Sequence, residues 1–514
     1  MTLDTSDAAG HSGGVFLFRS RTSALRINAQ HMSFSPTLAL TWEMIVLGAV
    51  ALAFSLTALL HLLTHHRDHR SAGFWVALIV FSPVVGACLY ALLGINFVRR
   101  KGRDYREAIG VVYRQPAPDC PLFIHGEPES AVNDCALATT LDRISRFHFA
   151  SGNRVEILEN GDEAMPAMLE AIRAARSSVS LSSYIFEAHG IGSEFVRELV
   201  SAGARGVEVR VIVDDAGTRY SWPPVTRELR RLGVPVRRFM PNRLVMRLIT
   251  LNLRNHKKLL IVDGAAAFTG GMNIRQGNMI LQNPPHPVRD LHFRVTGPVV
   301  EQMQRVFAED WQFCAGEPLE GNAWFPKLQP AGATHALGIV DGPDEDIEVM
   351  PAALFASLNA ARSRVCIITP YFLPLSHLMA ALKLCSLRGV EVMIVTPARN
   401  NIPLVAWAAR TLYPELVKTG CRIFESPPPF DHSKMLLVDD AWCCLGSTNW
   451  DPRSLRLNFE FNLACHDPDL VRRLSAVFEK KRAESVEVTT AMLAETPLRH
   501  RLRNGFASLF IPVL

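Results

Sequence analysis

No two cysteines of this 514-residue chain stand in a C-x-x-C pair. The ten cysteines are scattered, fit no metal-ligand spacing, and include only one adjacent pair, Cys443 and Cys444. A zinc ribbon and a disulfide framework are therefore not expected, and a reducing compartment is. No H-E-x-x-H and no phosphate-binding P-loop occurs, so the sequence offers neither a zincin site nor a nucleotide cradle. Charge of one sign is also scarce. Lys and Arg number 54 against 49 Asp and Glu, a net charge of +5. That balance argues against a large nucleic-acid groove and fits an anionic lipid surface or a phosphate-bearing substrate.

Uncharged apolar runs are what the chain does have. Met44 to Leu60 and Phe74 to Ile95 carry no charge, and each comes near or exceeds the length needed to cross a bilayer core. Trp42 and Trp75 sit near run ends, as interfacial anchors do. The spacing predicts a two-helix transmembrane hairpin over 41–98, preceded by a disordered tail over 1–40 and followed by a juxtamembrane linker over 99–155. Arg99, Arg100, Lys101, Arg103 and Arg106 follow the second run, and Arg19, Arg21 and Arg26 precede the first. Only Arg67 and Arg70 lie between them. Cations collect on the cytoplasmic side, so a multi-pass protein with both ends and its large body in the cytoplasm is expected.

The remainder repeats itself. AARSSVSLSS (174–183) returns as AARSRVCIIT (360–369), and GVEVRVIV (206–213) returns as GVEVMIVT (389–396). NHKKLLIVDGAAAFTGGMN from Asn255 returns as DHSKMLLVDDAWCCLGSTN from Asp431. Short β-branched runs alternate with helical stretches ending near glycine, so two similar α/β domains are expected, over 156–330 and 331–514. A site taking one motif from each half would lie between them.

Each copy of the longest repeat holds His-x-Lys and, five residues after the lysine, Asp. These are His256, Lys258 and Asp263, then His432, Lys434 and Asp439. Asn273 and Asn449 follow at equal offsets. On a strand, residues i and i+2 share a face, so each His and Lys can enter one pocket. Histidine supplies a nucleophile for phosphorus or a proton donor near neutral pH, lysine a charge for a phosphate oxygen, and asparagine a neutral donor. Two such histidines permit covalent transfer. One forms a phosphohistidine while the other protonates the leaving alcohol and then deprotonates the incoming one. Neither a metal nor another cofactor is required. Asp263 and Asp439 fall at strand ends, suited to supporting the fold or orienting a group.

These residues, the hairpin sequence SPVVGACLYALLGINFVRR, the segment Pro370-Tyr371-Phe372-Leu373-Pro374 and DPRSLRLNFEFNL after Asn449 resemble bacterial cardiolipin synthases of the phospholipase D superfamily. The resemblance implies tandem phospholipase D-type domains in an integral protein of the bacterial inner membrane. It implies transfer of a phosphatidyl group from one phosphatidylglycerol to another, giving cardiolipin and glycerol. Phosphatidylethanolamine as an alternative lipid, and hydrolysis by the same chemistry, remain open. It implies a catalytic set of His256, Lys258, Asp263, His432, Lys434 and Asp439 with Asn273 and Asn449. Glu460 would support the opposite histidine, and His256 would be the nucleophile. Nearby, Arg243 to Leu253 reads equally as a membrane-surface segment or a linker helix, and Tyr184 and Tyr371 are candidates for the site mouth.

Overall fold

The computed structural model describes residues 36–65, 69–91, 128–241, 253–343 and 348–511. The expected tail up to residue 35, most of the linker and residues 243–252 fall outside that range. The chain forms two compact units, Met1–Gly94 and Ile95–Leu514.

In the first unit, α1 (Pro36–His65) contains Trp42–Thr64, 23 residues of mean hydropathy 2.3. At 1.5 Å per residue that stretch is about 34 Å long, enough to cross a bilayer core. The second apolar run does not make a matching helix. It divides into α2 (His69–Phe81) and α3 (Pro83–Leu89), with Ser82 between them at φ −140°. Proline lacks an amide hydrogen and disfavours helical geometry in the residue before it, so the helix stops there. The chain then turns back on itself. A Cβ at Gly86 would lie 2.2 Å from the Leu78 carbonyl oxygen, so only glycine permits this approach. The Tyr90 ring meets Trp75 at 5.7 Å, and its hydroxyl lies 2.9 Å from His61 Nδ1. Trp75 and Tyr90 therefore both sit near the His65 end of α1. Among the described residues, one helix is long and apolar enough to cross a bilayer, and the second run forms a folded-back pair of shorter helices.

The second unit is built on one large sheet and a separate two-stranded one. Its first half contributes β1 (Ala150–Glu159), β2 (Ser178–Ser183), β3 (Glu208–Asp214), β4 (Val236–Phe239), β5 (Arg254–Asn255), β6 (Leu259–Val262), β7 (Ala266–Gly270), β8 (Val288–Arg289) and β9 (Leu291–Thr296). The second half contributes β10 (Thr334–Asp341), β11 (Arg364–Ile368), β12 (Glu391–Pro397), β13 (Arg422–Ser426), β14 (Phe430–Asp431), β15 (Met435–Val438), β16 (Trp442–Gly446), β17 (Asn458–His466) and β18 (Val486–Glu487). The order in the large sheet is β18-β13-β12-β11-β15-β16-β17-β10-β1-β9-β7-β6-β2-β3-β4, and in the small one β8 pairs with β14. The two halves are thus mirrored in strand order about the antiparallel β10–β1 pair, as the sequence duplication predicts.

β2, β6 and β15 are buried along their whole length, which accounts for their continuous apolar or small-residue sequences. Helices α4 (Val300–Ala315) and α5 (Pro468–Ala483) share one core cluster drawn from both halves, including Phe307, Trp311, Phe461 and Phe478. Two further clusters belong to the outer flank of each half. Because that middle core is common, the halves are one body. Cys135 is disulfide-bonded.

Candidate active site

The strand entering each motif crosses to the other half. β5 pairs in parallel with β17, and the His256 amide donates to the Phe459 carbonyl at 2.9 Å. β14 pairs in parallel with β8, and the His432 amide donates to the Arg289 carbonyl at 2.7 Å. A buried ion pair backs each entry strand. Lys257 Nζ lies 2.7 Å from Asp310 on α4, and Lys481 on α5 pairs with Asp431. Lys257 and Ser433, between the motif residues, face these supports, while the histidines and lysines face the pocket. That is the alternation expected of a strand.

This crossing sets each histidine on a carboxylate of the opposite half. His256 Nδ1 lies 2.9 Å from both oxygens of Glu460 on β17. His432 Nδ1 lies 2.8 Å from Asp290 Oδ2, beside β9. Glu460 also accepts from Ser447 Oγ at 2.5 Å and Asn458 Nδ2 at 3.1 Å. With Nδ1 held by a carboxylate, each ring presents Nε2 as its reactive nitrogen. Lys258 Nζ donates to the His256 carbonyl at 2.6 Å, and Lys434 does the same to His432.

Burial sets the electrostatics. It lowers both lysines, Lys258 to about 7 and Lys434 to about 8, with Glu460 and Asp290 opposing the fall. His256 is lowered by burial against the pull of Glu460, and His432 falls further because burial is joined by the charges of Lys434 and Lys258. The carboxylates diverge. Burial pushes Asp290 up to about 7, whereas His256 and Lys258 overcome the effect of burial at Glu460 and keep it below the usual range. Two lysines close enough to depress one another form a pocket that gains most from an anion, and a phosphodiester supplies one.

Asn273 Oδ1 accepts from the Ile185 amide at 3.0 Å, which leaves its NH2 group for a substrate oxygen. Asn449 is joined to Ser454 Oγ at 3.1 Å, and its other amide atom is buried without a partner. The carboxamide can be turned over with Ser454 as donor, and the orphaned group is then an NH2 for phosphate. Tyr184 stands edge-on to His256 at 5.3 Å and Tyr371 edge-on to His432 at 6.2 Å.

Asp263 and Asp439 are not part of this assembly. Each has a positive φ, 53° and 52°, at the far end of its strand from the lysine. The five-residue separation corresponds to about 16 Å of extended chain. Asp263 accepts from the amides of Arg176, Ser177 and Ser178, and Asp439 from those of Arg362, Ser363 and Arg364. Both clamp the start of the adjacent strand, β2 or β11. Their place in the motif is structural.

Asp290 escaped the sequence reading, although its signal was present. Gly270 registers with His292 as Gly446 registers with Asn462, so Asp290 and Glu460 occupy equivalent positions two residues earlier. Aspartate in one copy and glutamate in the other concealed the match. Among the described residues, no group of three or more His, Cys, Asp or Glu side chains is arranged to hold a metal ion.

Comparison with known proteins agrees with this geometry. The family description "Cardiolipin synthase, PLD-like domain" matches residues 168–311 and 354–482, and "Phospholipase_D-nuclease N-terminal" matches residues 53–94. Cardiolipin synthase of Oceanobacillus iheyensis is 30% identical over 473 residues, covering 90% of this chain and 97% of that protein. Cardiolipin synthase A of Pseudomonas fluorescens is 31% identical over 469 residues, covering 89% and 95%. The crystal structure of phosphatidylserine synthase from Haemophilus influenzae has the same fold, with a TM-score of 0.54 at 14% identity over 70% of this chain and 95% of that one. The paired motifs, their crossed carboxylates and matches extending over most of the sequence agree: the chain belongs to the phospholipase D-type cardiolipin synthase family.

Proposed function

We propose that this protein is a membrane-anchored phosphatidyltransferase that condenses two phosphatidylglycerol molecules into cardiolipin and releases glycerol. The observation that carries the reading is the crossed pair, His256 on Glu460 and His432 on Asp290, around Lys258 and Lys434. His256 is assigned as nucleophile because its ionised carboxylate holds Nδ1–H and leaves Nε2 unprotonated. Its attack forms the N–P bond and breaks the bond from phosphorus to the departing glycerol oxygen. His432 gives that oxygen its proton, since the bound phosphodiester's charge and Asp290 together favour its protonated form. In the second step the terminal hydroxyl of another phosphatidylglycerol attacks phosphorus. The N–P bond breaks, and the proton passes to His432. Lys258, Lys434, Asn273 and Asn449 stabilise the charge on the non-bridging oxygens through both steps.

The same reading places α1 across the bacterial inner membrane and the catalytic body on its cytoplasmic face, by the cations from Arg99 to Arg106. The test of function uses the purified full chain in mixed micelles with labelled phosphatidylglycerol, with and without phosphatidylethanolamine. Cardiolipin and glycerol in equal amounts are expected. Phosphatidic acid and glycerol alone would make the protein a hydrolase, and cardiolipin formed only with phosphatidylethanolamine would replace one of the two lipids. In His432→Ala given a donor whose leaving group needs no proton, such as p-nitrophenol, acid-labile phosphate should accumulate on His256; label on any other residue would overturn the nucleophile assignment.

A further inference from the structure

The last helix of the second unit has two unlike faces. α6 (Leu498–Ser508) continues in helical backbone through Leu509. At roughly 100° per residue, Leu498, Leu502, Phe506 and Leu509 fall within an arc of about 80°. These four side chains are 68%, 66%, 63% and 72% exposed. The packed face is the opposite one. Asn504 and Ala507 are buried, α6 packs on the helix Pro403–Ala409, and the Arg503 guanidinium lies over the Trp407 ring at 4.6 Å.

By the same rotation, Arg499 and Arg501 stand on either edge of the apolar arc. Both are exposed, and neither is paired with a carboxylate among the described residues. From Thr496 to Leu514 the sequence holds three arginines and no Asp or Glu. A helix that rests on a soluble body turns polar residues outward, and α6 turns leucine and phenylalanine outward instead. Such a stripe edged with arginine suits a helix lying in the surface of an anionic bilayer. Its apolar side chains then enter the acyl boundary while the guanidinium groups meet lipid phosphates. The face is continuous with the mouth of the site. Ile402, also exposed, caps the helix Pro403–Ala409 on which α6 rests. The residue before it, Asn401, accepts from the Tyr371 hydroxyl at 2.9 Å, and Asn400 donates to the Pro370 carbonyl at 2.7 Å. The Tyr371 ring in turn stands against His432.

Resting on the reading of a membrane phospholipid as substrate, we infer that α6 and Ile402 form a docking surface for an anionic bilayer, which holds the mouth of the site against the lipid. The chemistry calls for such a contact. A lipid with two acyl chains leaves the bilayer only by exposing a large apolar surface to water, so its phosphorus is best reached from the membrane surface. A single spanning helix confines the body to the neighbourhood of the membrane but does not turn its mouth toward the lipid. The phosphates of the bilayer supply the countercharge that Arg499 and Arg501 lack. A second copy of the chain is the poorer occupant, because a two-fold contact through this face would set the same arginines against one another.

Photolabelling of the full-length protein tests the surface. The protein is reconstituted in vesicles of phosphatidylglycerol and phosphatidylcholine, with a diazirine on one acyl chain of the latter. Label mapped by mass spectrometry should fall on Leu498, Leu502, Phe506 or Leu509 at about tenfold or more the level at Leu232, an exposed leucine beside β4 at the far end of the sheet. No label on α6, or label equal to that on Leu232, overturns the proposal, whether α6 is then covered by a second copy or left in water. Activity gives a second readout. The double variant Leu502→Gln, Phe506→Gln changes only exposed side chains, and an unchanged thermal midpoint checks its fold. Its turnover of long-chain phosphatidylglycerol in vesicles should fall by about tenfold or more, the scale of withdrawing an apolar side chain from lipid. Its turnover of dihexanoyl phosphatidylglycerol, dissolved as monomers, should stay within about twofold, since no bilayer is involved. Equal loss on both substrates would mark a structural role, and loss on neither would leave the helix in water; each overturns the proposal. An unsubstituted protein that turns over neither form would remove the transfer reading instead, and the label on α6 would then decide the surface by itself.

Discussion

At the scale of single residues, the two carboxylates separate the roles of the two histidines. Glu460→Gln removes the charge that orients His256, and a loss of about 10³-fold or more in turnover is expected by analogy with other carboxylate-held histidines. Asp290→Asn acts on the group that protonates the departing alcohol, so its defect should shrink on a donor with a good leaving group such as p-nitrophenol. The Glu460→Gln defect should persist on that donor. Equal rescue of both variants would contradict the assignment. Lys258 and Lys434 give the pH dependence its alkaline side. They must be charged to hold phosphate, and that charge is lost as pH rises through about 7 and about 8 in the free enzyme. kcat/KM should therefore decline above those values. A bound phosphodiester raises both lysines, so the same limb in kcat should lie at higher pH, and coincident limbs would argue against this use of the lysines. Asp263→Ala removes three amide partners remote from the pocket. It should lower the thermal midpoint, at a cost of about 1–3 kcal/mol, while changing kcat of the folded fraction less than tenfold.

At the scale of elements, what the sequence revealed depended on whether the information was local. The buried strands were legible because β-branched runs such as GVEVRVIV have few other uses. The break at Ser82–Pro83 was written in the sequence as well, but an uncharged run of hairpin length concealed it, since hydropathy does not register direction. A proline within an apolar run says that a helix stops. That the chain then reverses depends on the contact of Gly86 with Leu78, which no local pattern encodes. The reversal has a consequence for topology. If α1 crosses once and the second run returns to the His65 end, epitope tags at the N- and C-termini should fall on opposite faces of the membrane. Protease digestion of intact and permeabilised spheroplasts distinguishes this from two crossings, which would leave both tags on one face. A C-terminal tag protected until permeabilisation fits the cation cluster at Arg99 to Arg106. A C-terminal tag cleaved in intact spheroplasts would overturn that orientation.

At the scale of the whole molecule, the duplication was legible from end to end, and with it the expectation of a shared site. What was not legible is how the sharing works. His256 and Glu460 are far apart in sequence, and nothing in either repeat announces that β5 would leave its own half to pair with β17, or β14 to pair with β8. The crossing means that each histidine takes its carboxylate from the other half of the same chain, while the common core of Phe307, Trp311, Phe461 and Phe478 holds those halves together. A complete site is then contained in one molecule. Two inactive full-length variants, His256→Ala and His432→Ala, should not restore one another when co-expressed or mixed in micelles, because no single chain would hold both histidines. Cardiolipin formation at or below the sum of the separate variants is the expected result. Recovery toward about one quarter of the unsubstituted activity, the statistical yield of an exchanged dimer, would mean that β5 and β14 pair between chains, and that the site belongs to an assembly rather than to one body.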